Sequence, residues 1–575
     1  MTILTAHGRP RFMLSLLSAT VLTATLTGCL SSSGSSSSDT APPPQTETPA
    51  NPLVVSTAQG DVQGIEEGNM RIFRKIPYAA APVGERRFAP PEPAPVRSAR
   101  LELGKEFGDQ CPQGYENGSF DGSEDCLYLN VYAPAEGENL PVMVWIHGGA
   151  FLLGNGGGEY DPTRLIAEDV IVVTLNYRLG ALGFLAHAGL ESDSGNFGLM
   201  DQQAAIRWVK ENIAGFGGDA DNMTLFGESA GGHSVLSHIV SPQTQGLFQR
   251  AIIQSGSYAP TQLPKQIAQT IGTAVAAGVG CADPATVAQC LREVDTATLL
   301  AAQEAAPWPV PVVDPEGILP KSISEALNDG DFDRDLDIMI GNNQDEGTLF
   351  VALDEFEFGP LEALGEQEYR NRVAELLANT PYDHTAVADR YLAAHAQSDN
   401  PLSLALSAIW TDYMFACNSD THASQFANEG LATYSYWFTD KDAPFTMVPP
   451  ALVSYPLGAT HAGEIPYVLY PETTMTQRYT GTEEDLQTLS TAMVKYWTRF
   501  AKVGDPNSDD GVDVWPEYGS GKNLRVLNPQ LTNITSAVHN DYHQCTAWRT
   551  GQFGSVPVLL LFDKFLICLS SVQTL

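Results

Sequence analysis

Basic side chains are scarce in this chain: 31 Lys and Arg stand against 68 Asp and Glu, for a formal net charge of −37. A surface so acidic repels phosphate backbones and anionic headgroups, which excludes nucleic acid as a partner. The same charge keeps the chain soluble and identifies no substrate. Long apolar runs are missing too. The stretch from Phe12 to Leu26 is softened by Ser and Thr and falls short of the ~20 apolar residues that a membrane-spanning helix needs. Val556 to Phe562 is apolar, but Asp563 and Lys564 interrupt it, so it is no span either. The sequence holds no H-E-x-x-H, no phosphate-binding G-x-x-x-x-G-K-[ST] and no dinucleotide-binding glycine pattern. Neither a metal nor another cofactor is therefore expected. The acidic run Asp329, Asp331, Asp333, Asp335 and Asp337 lacks the glycine that a calcium loop carries at its sixth position. It reads as a solvated loop. Also absent are an internal repeat and a second low-complexity linker, so the stretch from Leu53 to about Gly551 reads as one continuous globular unit.

The N-terminus carries a targeting pattern. Arg9 and Arg11 form a basic start, the apolar stretch follows, and Leu26-Thr27-Gly28-Cys29 resembles a bacterial lipobox. Residues 1–28 are then a lipoprotein signal peptide, and Cys29 is the lipidated first residue of the mature chain. Residues 29–52 form a tether, nearly pure Ser from Ser31 to Ser38 and then Pro42-Pro43-Pro44, a composition that builds no core. The expected location is the bacterial cell envelope, at the periplasmic face or the outer membrane, with the N-terminal lipid as the only membrane contact. An exported chain with cysteines at loop-closing spacings is expected to form disulfides. Cys111 and Cys126 bracket one short loop, Cys281 and Cys290 another, and Cys417 and Cys545 lie far apart. Sequence alone leaves the pairing open. Residues 552–575, with Cys568, form a tail of no assigned role.

Short apolar runs alternate with helical patterns. Pro141 to Ile146, Val170 to Leu175, Met223 to Phe226, Ala251 to Ile253, Ile338 to Ile340 and Thr433 to Phe438 read as buried strands. Between the second and third, Ala205, Ile206, Trp208, Val209 and Ile213 recur at helical spacing. Near-continuous apolar strands alternating with helices predict an α/β fold, a mostly parallel sheet covered on both faces.

The chemistry concentrates at strand ends. Gly227-Glu228-Ser229-Ala230-Gly231 directly follows the third strand. A G-x-S-x-G motif there puts the serine on a strained strand-to-helix turn, which lifts the hydroxyl out of the sheet and aims the next N–H at a reacting carbonyl. His147-Gly148-Gly149-Ala150-Phe151 follows the first strand, the place of a loop that offers backbone donors to an oxyanion. A serine nucleophile needs a base and an acid that orients the base, in the chain order Ser, acid, His. Asp345 and Glu346, just past the Ile338–Ile340 strand, both qualify as the acid. The downstream histidines are His384, His395, His422, His461, His539 and His543. The first three lie in helical stretches and read as surface residues. His461 sits in the small-residue loop Gly458-Ala459-Thr460-His461-Ala462-Gly463-Glu464, which suits presentation of the ring, while His539 and His543 stay open.

With these motifs in order, the sequence resembles the type-B carboxylesterase family, which includes the cholinesterases. The resemblance rests on Ser123 to Asn130, the His147 loop, Asn196 to Gln202, Phe226 to Gly232, Gln254 to Ser257, Asp345-Glu346-Gly347, the His461 loop and Gly504-Asp505-Pro506-Asn507. It covers roughly Leu53 to Gly551. It implies an α/β-hydrolase fold and a serine carboxylesterase acting on a small-molecule ester through an acyl-enzyme. It assigns Ser229, Glu346 and His461 to the triad, and the N–H groups of Gly149, Ala150 and Ala230 to the oxyanion hole. It pairs Cys111 with Cys126, Cys281 with Cys290 and Cys417 with Cys545, and reads Arg87 and Glu124 as a scaffold ion pair. Two departures bear on substrate. Cholinesterases carry a Trp inside the first disulfide loop, where it binds quaternary ammonium face-on; this chain has only Tyr115 and Phe120 as aromatic residues there. Their acyl-pocket aromatics before Val310-Pro311-Val312-Val313-Asp314 align with Ala305 and Pro307. Uncharged esters are therefore expected over choline esters. The alternatives are a lipase-like preference for long acyl chains, or a non-catalytic adhesion protein of the same fold, whose members typically lose part of the triad.

Overall fold

The computed structural model describes residues 51–553, apart from 117–118, 191–194, 305–309, 379, 445–446, 449–452 and 508–513. The lipobox, nearly all of the tether, Ala305, Pro307 and all of the tail beyond Phe553, with Cys568, lie outside the described residues. An eleven-stranded sheet organises the chain. Its strands are β1 (Ile65–Glu67), β2 (Met70–Pro77), β3 (Tyr128–Pro134), β4 (Leu140–Ile146), β5 (Ile171–Leu175), β6 (Gly218–Glu228), β7 (Arg250–Gln254), β8 (Asp337–Asn343), β9 (Thr433–Phe438), β10 (Asn523–Leu527) and β11 (Asn533–Thr535). The spatial order is β11-β10-β9-β8-β7-β6-β4-β5-β3-β2-β1. Pairing is parallel from β5 through β10. It turns antiparallel at both margins.

Period-two alternation sends each central strand into two cores. On β4, Val142, Val144 and Ile146 join one cluster with Ile206 and Val209 of helix α1 (Phe197–Asn212) and Val235 and Leu236 of α2 (Ala230–Val240). Met143 and Trp145 join the opposite cluster, with Met493, Trp497 and Phe500 of the long helix Glu483–Val503. Both faces of the parallel region are thus covered by helices. That covering is why its strands read as unbroken apolar runs.

A third cluster lies beside the sheet. It holds α3 (Gly347–Phe358), α4 (His384–His395) and α5 (Pro401–Trp410). Helix α5 continues through a π-helical turn, Thr411–Ala416, into α6 (Cys417–Asn428). The three disulfides are Cys111–Cys126, Cys281–Cys290 and Cys417–Cys545. The last ties α6 to the helix Cys545–Thr550, the last among the described residues. It closes a separation of 128 residues, against 9 for Cys281–Cys290. Loop-closure entropy then predicts that replacing both cysteines of the long bridge by serine costs on the order of 5 kcal/mol, and about 2.5 kcal/mol for the short bridge. Denaturant titration of the two double variants checks the ranking; equal losses would contradict it.

Candidate active site

Three strand ends converge. Ser229 follows β6 and caps α2 with φ 55° and ψ −121°. A non-glycine residue there is strained, and such strain collects where a side chain must be aimed. The sequence permits the turn because small residues surround it. A Cβ on Gly231 would stand 1.9 Å from the Ile146 carbonyl oxygen. One on Gly148 would stand 2.8 Å from the Glu228 carbonyl oxygen, so glycine there lets the loop after β4 approach the turn that carries the serine. Ser229 N–H donates to the Gln254 carbonyl at 2.9 Å, which ties the turn to the end of β7.

Glu346 follows β8 and is fully buried. Its Oε2 accepts from His461 Nδ1 at 2.5 Å. Its Oε1 accepts from Ser255 Oγ at 2.6 Å and from Asn343 N–H at 2.8 Å. The carboxylate is therefore held at three points and fixes the ring. The other candidate acid does different work: Asp345 Oδ2 accepts from Ala459 N–H at 2.9 Å and so holds the loop that carries His461. The opposite ring nitrogen, His461 Nε2, lies 3.2 Å from Glu228 Oε1, on the residue just before Ser229. Phe350 of α3 and Phe415 of the π-helical turn each pack with their centroids 5.0 Å from the imidazole.

The site is rich in buried acid. Burial raises the Glu228 carboxyl to about 8, with Glu464 and Glu346 adding to the shift. Burial likewise raises Glu464, which accepts from Asn343 Nδ2 at 2.6 Å. Burial alone would lower His461, but Glu228 and Glu346 outweigh it and raise the imidazole to about 9. The positive form of the ring is what these carboxylates favour.

The loop after β4 has left-handed backbone at Gly149 (φ 102°), Ala150 (φ 56°) and Phe151 (φ 61°). Ala230 opens α2, so its N–H belongs to the first turn, where no intrahelical acceptor exists. His147 stays inside the scaffold: it stacks on Tyr177 at 4.4 Å and contacts the Gly148 carbonyl through Nδ1. Arg87 and Glu124 form a largely buried ion pair that also engages Thr296.

The remaining histidines have other partners. His539 meets Asn342 Oδ1 at 3.2 Å and His543 meets Asp412 Oδ1 at 2.7 Å. His422 corrects the surface reading. It is buried on α6 with Nδ1 3.0 Å from Ser257 Oγ. A polar side chain enters a core when a bond awaits it. His384 and His395 are half-buried. Sequence reasoning quoted Glu228, Ser255 and Glu464 as motif members without a role; their place inside dense motifs was the available signal. Among the described residues, no group of three or more His, Cys, Asp or Glu side chains could hold a metal ion, and no helix is long and apolar enough to cross a membrane.

Comparison with known proteins agrees with this architecture. The carboxylesterase family matches residues 51–548. A para-nitrobenzyl esterase of Bacillus subtilis (strain 168) is 35% identical over 506 residues, covering 83% of this chain and 95% of its own length. An acylcarnitine hydrolase of Mus musculus is 35% identical over 494 residues, covering 81% and 86%. The crystal structure of a Geobacillus stearothermophilus carboxylesterase superposes with a TM-score of 0.73 at 34% identity, over 86% of this chain and all of that one. The α/β-hydrolase arrangement is shared with these structures. This chain belongs to the carboxylesterase family and is a carboxylic ester hydrolase.

Proposed function

We propose that hydrolysis runs through an acyl-enzyme on Ser229, with His461 as base and acid and Glu346 as the group that orients and stabilises it. The observation carrying this reading is the 2.5 Å contact of Glu346 with His461 Nδ1, which leaves Nε2 facing Glu228, the residue next to Ser229 in the chain. Ser229 Oγ attacks the ester carbonyl carbon and its proton passes to Nε2. The oxyanion that forms accepts from the N–H groups of Gly149, Ala150 and Ala230. Collapse breaks the bond to the alcohol oxygen, which leaves with the proton from Nε2. Water then repeats the sequence, and the acid departs as Ser229 regains its proton.

The substrate is an uncharged carboxylic ester. Phe350 and Phe415 give the region beside His461 an aromatic wall, which suits apolar groups. No Trp stands between Cys111 and Cys126 to hold a quaternary ammonium face-on. The test is kcat/KM for butyrylcholine against 3,3-dimethylbutyl butyrate, its uncharged isostere. The expected result favours the uncharged ester or is even. A choline preference above tenfold would overturn the substrate reading.

We also propose that Cys29 is lipidated and that Ser31 to Pro52 holds the enzyme off a bacterial envelope membrane, on the strength of the Leu26-Thr27-Gly28-Cys29 motif. Mass spectrometry of the mature N-terminus should find acylated Cys29; an unmodified start further along would rule the anchor out.

A further inference from the structure

Tyr258 lies four residues beyond β7, and its ring is held on both sides. On one side it packs on His233 of α2, with centroids 5.0 Å apart. His233 is itself fixed: Nδ1–H donates to the Gly256 carbonyl at 3.2 Å, and Nε2 accepts from Gln262 Nε2 at 3.2 Å. Burial keeps this imidazole neutral by lowering it to about 4. On the other side Tyr258 meets Phe415 at 5.8 Å, and Phe415 meets His461 at 5.0 Å. One aromatic wall thus runs from the first turn of α2 to His461.

The hydroxyl of Tyr258 is the exception in this wall. It is buried, yet it has no hydrogen-bond partner among the described residues. Other interior tyrosines do: Tyr78 donates to Asn176, Tyr177 to His147, Tyr455 to Thr348 and Tyr518 to Asp420. Tyr436 also has none, but it is enclosed in the sheet between Trp497 and Trp515. A hydroxyl held in place without a partner carries a desolvation cost that a substrate oxygen could remove. Burial first, and then Glu228, push its ionisation up, so it remains a donor.

Position decides which part of the ester it would meet. The alcohol oxygen must reach His461 Nε2 to take its proton. Tyr258 is separated from that ring by Phe415 and rests on α2 through His233. Through His233 it borders the first turn of α2, the helix that Ser229 caps, and Ser229 is the residue that carries the acyl part. Resting on the acyl-enzyme reading above, we infer that Tyr258 determines specificity: its hydroxyl donates a hydrogen bond to a second oxygen, of ether, hydroxyl or keto type, in the acyl part of the ester. A site that offers such a bond discriminates strongly against the analogue lacking the oxygen.

The experiment uses two matched pairs. On the acyl side, 4-nitrophenyl 3-methoxypropanoate is compared with 4-nitrophenyl pentanoate, which has CH2 in place of the ether oxygen. On the alcohol side, 2-methoxyethyl butyrate is compared with butyl butyrate. Rates are normalised to active sites titrated with an organophosphate. In Tyr258→Phe the acyl-side ratio of kcat/KM, oxygen-bearing over plain, should fall at least tenfold, and the alcohol-side ratio should hold within twofold. An unchanged acyl-side ratio, or a change confined to the alcohol side, overturns the inference. Wild-type enzyme that titrates and turns over normally in that case leaves the esterase reading standing. A wild type that fails to titrate defeats that reading instead.

Discussion

Ser229→Ala should lower kcat on an uncharged ester by about 10^6-fold, the scale seen when a triad nucleophile is removed. The substitution takes away one oxygen and nothing else that the fold uses. Ser229 sits at φ 55°, and alanine carries the same Cβ, so the strain of the turn is unchanged. The N–H of residue 229 still donates to the Gln254 carbonyl. The thermal midpoint should therefore stay within a degree or two of wild type while turnover collapses. Oxyanion donors and binding alone leave a residual acceleration of roughly 10^3 to 10^4 over water. Activity retained within tenfold would show that another group attacks the carbonyl.

Glu346→Gln should reduce kcat/KM by about 10^4-fold with the fold retained. An amide has nearly the shape of the carboxylate, so it fits the space between His461, Ser255 and Asn343. It lacks the negative charge, and its NH2 can face Nδ1 and impose the wrong tautomer. The pH profile should move as well. In the proposed mechanism His461 must be unprotonated to take the serine proton, so the rising limb of kcat/KM should report its titration. In the wild type that limb lies above the ordinary value of 6.5, because Glu228 and Glu346 overcome the effect of burial. Removing one of those charges lowers the imidazole pKa and moves the limb toward acid. A limb that stays in place, or moves toward alkali, would contradict the account.

The parallel heart of the sheet was legible because burial on both faces leaves strands such as Leu140–Ile146 with almost no polar residues. The margins were not. Met70–Pro77 mixes Arg71, Arg74 and Lys75 with Ile72 and Phe73; although Ile72 and Phe73 enter the two opposite cores, no continuous apolar run marks the strand. The choice between Asp345 and Glu346 depends on which side chain turns toward the His461 ring and which toward its loop, a matter of one residue of backbone direction. The resemblance to a family favoured Glu346, while the bare pattern could not. His422 misled because its helix reads as polar. Ser419, Asp420 and His422 are all buried, and the partners of the last two, Tyr518, Asn540 and Arg549 for Asp420 and Ser257 for His422, come from distant parts of the chain. Such pairings are invisible to local periodicity. Tyr258 escaped for the same reason, since its ring partners His233 and Phe415 come from α2 and the π-helical turn.

The central claim is that one particular serine carries the acyl group. Exposure to an organophosphate, followed by proteolysis and mass spectrometry, reads this directly. The account predicts one phosphoryl adduct per chain, located on Ser229, with activity lost in proportion to labelling and no adduct in Ser229→Ala. An adduct on another residue, or full labelling of Ser229 with activity retained, would contradict it.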